Sequence, residues 1–145
     1  MKRLAMAAGL VLAAAAAPAS ADPLAMDQPI SLNGIETVCT GIGDEAMHDP
    51  RWAAYPIRVE FSNGGAQYLA GPHFVLKDAD GKVLTSFDCD GPWVLLQLPA
   101  GKDYIAAASF SDDPQDGERT GRFTVPGNGK QKRVVLAFPH IPPNH

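Results

Sequence analysis

The chain predicts a single all-β domain, an antiparallel β-sandwich closed by one disulfide, with one short helix near residues 44–55. Three observations predict it. Short runs of alternating apolar and polar residues recur at roughly ten-residue spacing. Gly, Pro and Asp fill the intervals between the runs. Two cysteines stand in a chain that opens like an exported protein.

The opening is MKRLAMAAGLVLAAAAAPASA, residues 1–21. Lys2 and Arg3 precede a short apolar run, and Ala19-Ser20-Ala21 supplies small residues for cleavage. This predicts a secretory signal peptide cut between Ala21 and Asp22. Its apolar run is shorter than the roughly 20 residues a spanning helix needs, and no later run is long enough, so no membrane insertion is expected. The signal's style points to a Gram-negative periplasm, with extracellular release as the other destination. Losing Lys2 and Arg3 leaves ten cations against sixteen acids, a net charge of −6. That balance argues against nucleic acid or an anionic membrane as the main partner. About 120 mature residues suffice for one modest core.

Residues 22–33 read as a flexible N-terminal arm, residues 34–139 as the sandwich and residues 140–145 as a disordered tail. In IETVC (35–39) the alternation is weak. In IRVEFS (57–62) it is clean: Ile57, Val59 and Phe61 face one way, Arg58, Glu60 and Ser62 the other. HFVLKD (73–78) and KVLTSFDC (82–89) flank Asp80-Gly81, a strong hairpin signal because glycine accepts the positive φ of the turn. WVLLQL (93–98), DYIAAASF (103–110), RFTV (122–125) and KRVVLAF (132–138) complete the series. SDDPQDGE (111–118) carries four acids and reads as a solvated loop. The short helix lies in GDEAMHDPRWAAY (43–55). There Asp49-Pro50 offers an N-cap followed by proline, breaking or restarting the helix, and Pro56 stops it.

Three segments together carry a family resemblance: YPIRVEFSNGGAQYLAG, VLKDADGKVLTSFDCDGPWVLLQLPAGKDY and GRFTVPGNGKQKRVVLAFP. They resemble the carboxypeptidase regulatory-like domain proteins of Proteobacteria, and upstream TGIGDEA is similar to the opening of that group. The resemblance spans residues 34–139. It implies a prealbumin-like sandwich of seven strands with no catalytic residues of its own. The chain departs from the pattern where Lys102 and Asp103 both intervene between L-P-A-G and Tyr104. Prealbumin-type hydrolases end in a tyrosine-arginine-glycine-serine signature, whereas this chain ends IPPNH.

FDCDGPW (87–93) invites two readings. Asp88, Cys89 and Asp90 form a metal site or activated thiol in one, and a strand end, a disulfide partner and a turn in the other. Val83, Thr85, Phe87 and Cys89 share one strand face and Asp88 takes the opposite one, which is poor geometry for joint ligation. Two cysteines in an exported chain favour a Cys39–Cys89 disulfide, which would contribute about 4 kcal/mol on the chain-entropy model. DADGK lacks the ligands of a calcium loop: with Gly81 at the sixth position, Phe87 falls at the twelfth. His48, His73, His140 and His145 form no paired metal motif, and they converge on a metal only if the fold gathers them. Ser62, Ser86, Ser109 and Ser111 lack a nucleophile-elbow context. Asp44, Glu45 and Asp49 are acids expected at a helix N-terminus. Trp52, Tyr55, Tyr68 and Trp93 read either as core or as a stacking platform for a sugar.

The expected function is therefore a non-catalytic exported module, with no cofactor, that contacts a protein or envelope component. It would use loops at one end or an exposed sheet edge, as a monomer or weak dimer. A weak metal-binding protein built on His140, His145, His73 and His48 is one alternative. A carbohydrate-binding module built on Trp52, Tyr55 and Tyr68 is another.

Overall fold

Alternation along the strands sorts the side chains into layers, and the computed structural model, which describes residues 22–111 and 115–142, shows two sheets packed face to face. The strands are β1 (Ile30–Leu32), β2 (Ile35–Thr40), β3 (Ile57–Ser62), β4 (His73–Asp78), β5 (Val83–Asp88), β6 (Trp93–Leu96), β7 (Asp103–Ser109), β8 (Arg119–Thr124) and β9 (Lys132–Ala137). One sheet runs β1-β2-β6-β3-β9 and the other β5-β4-β7-β8. Residues 1–21, with the expected cleavage at Ala21, and residues 143–145, with His145, lie outside the described residues.

Two features differ from a seven-stranded antiparallel sandwich. The described residues hold nine strands: each of the eight alternating runs forms one, and β1 forms within the segment expected as a flexible arm. Asn33 and Gly34, both at positive φ, make the two-residue turn joining β1 to β2. The second difference is that β9 runs parallel to β3, from Ile57↔Lys132 to Ser62↔Ala137. The chain leaves β8 in one sheet and crosses to the edge of the other, so β9 meets β3 in the same direction.

The core sits between the sheets. Ile57, Val59, Phe61, Val94, Leu96 and Leu136 meet Phe74, Leu76, Phe87, Tyr104 and Phe123 across it. Each fully buried large side chain contributes about 1.5–3 kcal/mol. Phe61 and Phe74 pack edge to face, their centroids 6.2 Å apart. The Asp80-Gly81 hairpin is present: Gly81 has φ 89°, and Asp78 Oδ1 accepts the N–H groups of Asp80 and Lys82. A bulge beside Leu76 pairs Lys77 with Val83 and turns Val83 away from the core, leaving it 54% exposed.

The helical segment is two pieces, α1 (Asp44–Met47) and a 3₁₀ helix (Pro50–Ala54). Asp49 caps the second by accepting the Arg51 N–H at 2.9 Å, and Pro50 opens it. Trp52 and Tyr55 then lie on Val38 and Leu95, forming a small second core outside the five-stranded sheet.

Cys39 on β2 and Cys89 just after β5 are disulfide-bonded, with both side chains fully buried and Cα atoms 5.7 Å apart. The bond joins the two sheets. Residues 22–33 wrap this side instead of remaining loose. Leu24 N–H donates to Asp88 O, Asp27 N–H to Cys39 O, and the Asn33 side chain to Leu84 O. The Met26 thioether lies 3.3 Å from Cys39 Sγ. At the far end, His140 and Ile141 are also held: Ile141 is buried and the His140 N–H donates to Asp116.

Within FDCDGPW, Asp88 faces outward and Asp90 is exposed, so neither joins Cys89. Gly91 is required by close approach. A Cβ there would run into the backbone oxygen of Thr40 and come within 2.8 Å of Met26 Cε. Gly91→Ala is expected to cost about 1–3 kcal/mol by overpacking, read as a lower urea midpoint. An unchanged midpoint would show that this corner yields freely.

Candidate functional site

The fold gives each of the three described candidate histidines its own partner. His48 Nδ1 sits 2.9 Å from Asp44 O on the short helix. His73 pairs with Asp88 across β4 and β5 at 2.7 Å. His140 Nδ1 lies 2.6 Å from Asp116 Oδ1, a carboxylate that also receives Arg119. Among the described residues, no group of three or more His, Cys, Asp or Glu side chains is placed to hold a metal ion.

The aromatic candidates divide as well. Trp52 and Tyr55 are 4% and 6% exposed beneath the 3₁₀ helix, so neither offers a ring face to a sugar. Tyr68 is half-buried and meets Trp93 edge-on at 5.7 Å, and Trp93 is itself buried. Trp52, Tyr55 and Trp93 thus pack as core, the first of the two readings, and Tyr68 stands at its rim.

What the fold does assemble centres on Glu60, which carried no role in the sequence reading. Alternation on β3 places it on the outer face of the five-stranded sheet, yet it is only 1% exposed. Two arginines cover it. Arg58 Nε donates to Glu60 Oε2 at 2.7 Å, two residues along the same strand. Arg133, from β9, donates side-on through Nε at 2.6 Å to Oε2 and through one terminal nitrogen at 2.7 Å to Oε1. The Arg58 guanidinium also lies 4.3 Å above the Trp93 ring, a cation–π contact that fixes its plane. Burial pushes the Glu60 carboxyl up, but the Arg133 hydrogen bonds, the Arg58 charge and the Tyr68 hydroxyl together outweigh it. The net result is a pKa below the ordinary glutamate value.

One carboxylate thus orients two guanidiniums, leaving this three-residue cluster with a net positive charge. Arg133 remains 56% exposed, with donors still facing water. The chain leading into β9 reaches the same face through Gln131, whereas Lys132, on the alternate side of the strand with Val134 and Leu136, lines a cleft with Asp103 and Arg122. Lys130 and Lys132 flank Gln131, whose side-chain amide donates to Trp52 O and Tyr55 O and pins the loop to the 3₁₀ helix. Lys130, Lys132 and Arg122 form no salt bridge among the described residues.

A signal for this surface was present in the sequence. From Arg119 onward the chain carries five cations and no acid, while all sixteen acids precede it. The net charge of the chain conceals that separation.

No protein-family model, curated protein or solved structure matches the chain.

Proposed function

We propose that this is an exported, non-catalytic β-sandwich module that binds an anionic group of a protein or envelope component on the outer face of its five-stranded sheet. The observation that carries this reading is the pair of guanidiniums fixed on Glu60, with Arg133 still more than half exposed. Arginines already held in one geometry lose less conformational freedom on meeting a carboxylate or phosphate, so more of the attraction appears as affinity. The signal-like opening and the buried disulfide support an oxidising compartment, the periplasm above all. The resemblance to carboxypeptidase regulatory-like domains, which have no catalytic residues of their own, points the same way.

The test is a titration of isotope-labelled chain, followed by its amide resonances, with a glutamate-rich peptide and with vesicles doped with anionic lipid. Saturable shifts on β3 and β9, weakened about tenfold in an Arg133→Ala variant and by added salt, are the expected result. If neither probe moves those resonances, the reading is wrong.

A further inference from the structure

We infer that the free flank of β9 receives an extended acidic peptide as an added strand. This rests on the anion-binding reading above and names its partner. The main-chain geometry supplies the first argument. Lys132 N–H donates to Pro56 O, and Phe138 N–H to Ser62 O. In a parallel ladder one residue turns both its N–H and its C=O to the same neighbour. Residues 132, 134, 136 and 138 therefore face β3, and Arg133, Val135 and Ala137 turn their N–H and C=O groups to the open side. Strand β9 ends its sheet, and no strand pairs with that flank among the described residues.

The side chains supply the second argument. Arg133, Val135 and Ala137 are all exposed, and Val135, at 52%, is among the most exposed large apolar residues of the fold. They share the outer face with the Glu60 cluster. A strand added here would place every second side chain beside them, which favours an acid next to Arg133 and an apolar residue next to Val135. Cations along an open edge also oppose pairing with an identical strand, so the same charges that admit an acidic peptide disfavour a second copy.

The other edges are less suited. The arm crosses β5 through Leu24 and Asn33, and β1 is only three residues long. On β8 the exposed Arg122 already donates to Ala79 O.

The test uses the whole mature chain and an acidic octapeptide with glutamates and valines two residues apart, read by amide hydrogen exchange. Tenfold or greater protection of the Arg133, Val135 and Ala137 amides is the expected result. Affinity should fall at least tenfold when alternate peptide nitrogens are methylated. It should fall similarly in Val135→Pro, which keeps every cation but removes an outward N–H at an edge position where proline is tolerated. Should Val135→Pro fail to fold, the methylated peptide still decides. Peptide binding without amide protection, or equal affinity for the methylated peptide, would overturn strand addition while leaving anion binding intact. Binding of anionic vesicles but not peptide would do the same, as would dimerisation through β9. Failure of every anionic probe would remove both readings.

Discussion

Replacing Cys39 and Cys89 together by alanine is expected to lower the unfolding free energy by about 4 kcal/mol. The bond spans a sequence separation of 50 residues and joins β2 of one sheet to the end of β5 in the other. Cutting it gives the denatured chain back the freedom of that loop, which is the main source of the loss. For a domain of this size the expected loss is a large part of a total of roughly 5–15 kcal/mol. Urea unfolding of the oxidised wild type against the double variant checks it. A difference under about 1 kcal/mol would mean that the arm and the core fix this side without the cross-link.

Removing the charge of Glu60 should have the next largest effect. Glu60→Gln keeps the shape but leaves Arg58 and Arg133 without their counter-charge. Deleting one partner of a buried ion pair costs about 3–5 kcal/mol, and the low end applies here because Arg133 is more than half exposed and regains water. The pH dependence separates this from simple loss of packing. The folded-state pKa of Glu60 is depressed, so its contribution is fully present above the unfolded value, near 4.5. It declines as pH falls below that value and is gone once pH passes the folded pKa. Wild type and Glu60→Gln should therefore differ at pH 7 and converge in acid. A gap that persists unchanged below the folded pKa would assign the loss to geometry. The variant should also weaken anion binding, because Arg133 loses the group that aims it.

How much of this was readable beforehand depended on how far each cause reaches along the chain. Local causes were legible. Alternation put Ile57, Val59 and Phe61 inside, Asp80-Gly81 marked its hairpin, and Asp49-Pro50 marked the 3₁₀ start. Cys89 fell on the inner face, where its disulfide partner meets it. A second local signal lies at the end of the arm. Asn33-Gly34 is as strong a turn as Asp80-Gly81, and the β1–β2 hairpin forms across the boundary between residues 22–33 and 34–139.

Distant causes were not legible. Nothing within residues 132–137 says that β9 lies parallel to β3, since pairing direction is set by how the chain crosses between sheets. Glu60 reads as a solvated residue because alternation reports the face and not what covers it. Its cover arrives from Arg133, 73 residues away. His140 reads as part of a loose tail for the same reason. Its partner Asp116 stands in an acidic loop that looks wholly solvated until the carboxylate is found buried.

The arm over the disulfide has a kinetic consequence. A thiol breaks a disulfide only by approaching a sulfur along the bond axis. Both sulfurs here are fully buried, and the Met26 side chain rests on one of them. Attack must wait for the protein to open, so for any given reductant the rate of reduction is scaled down by how rarely the arm and core open. Once closed, the cross-link is insulated from the thiol chemistry of its compartment for as long as the chain stays folded.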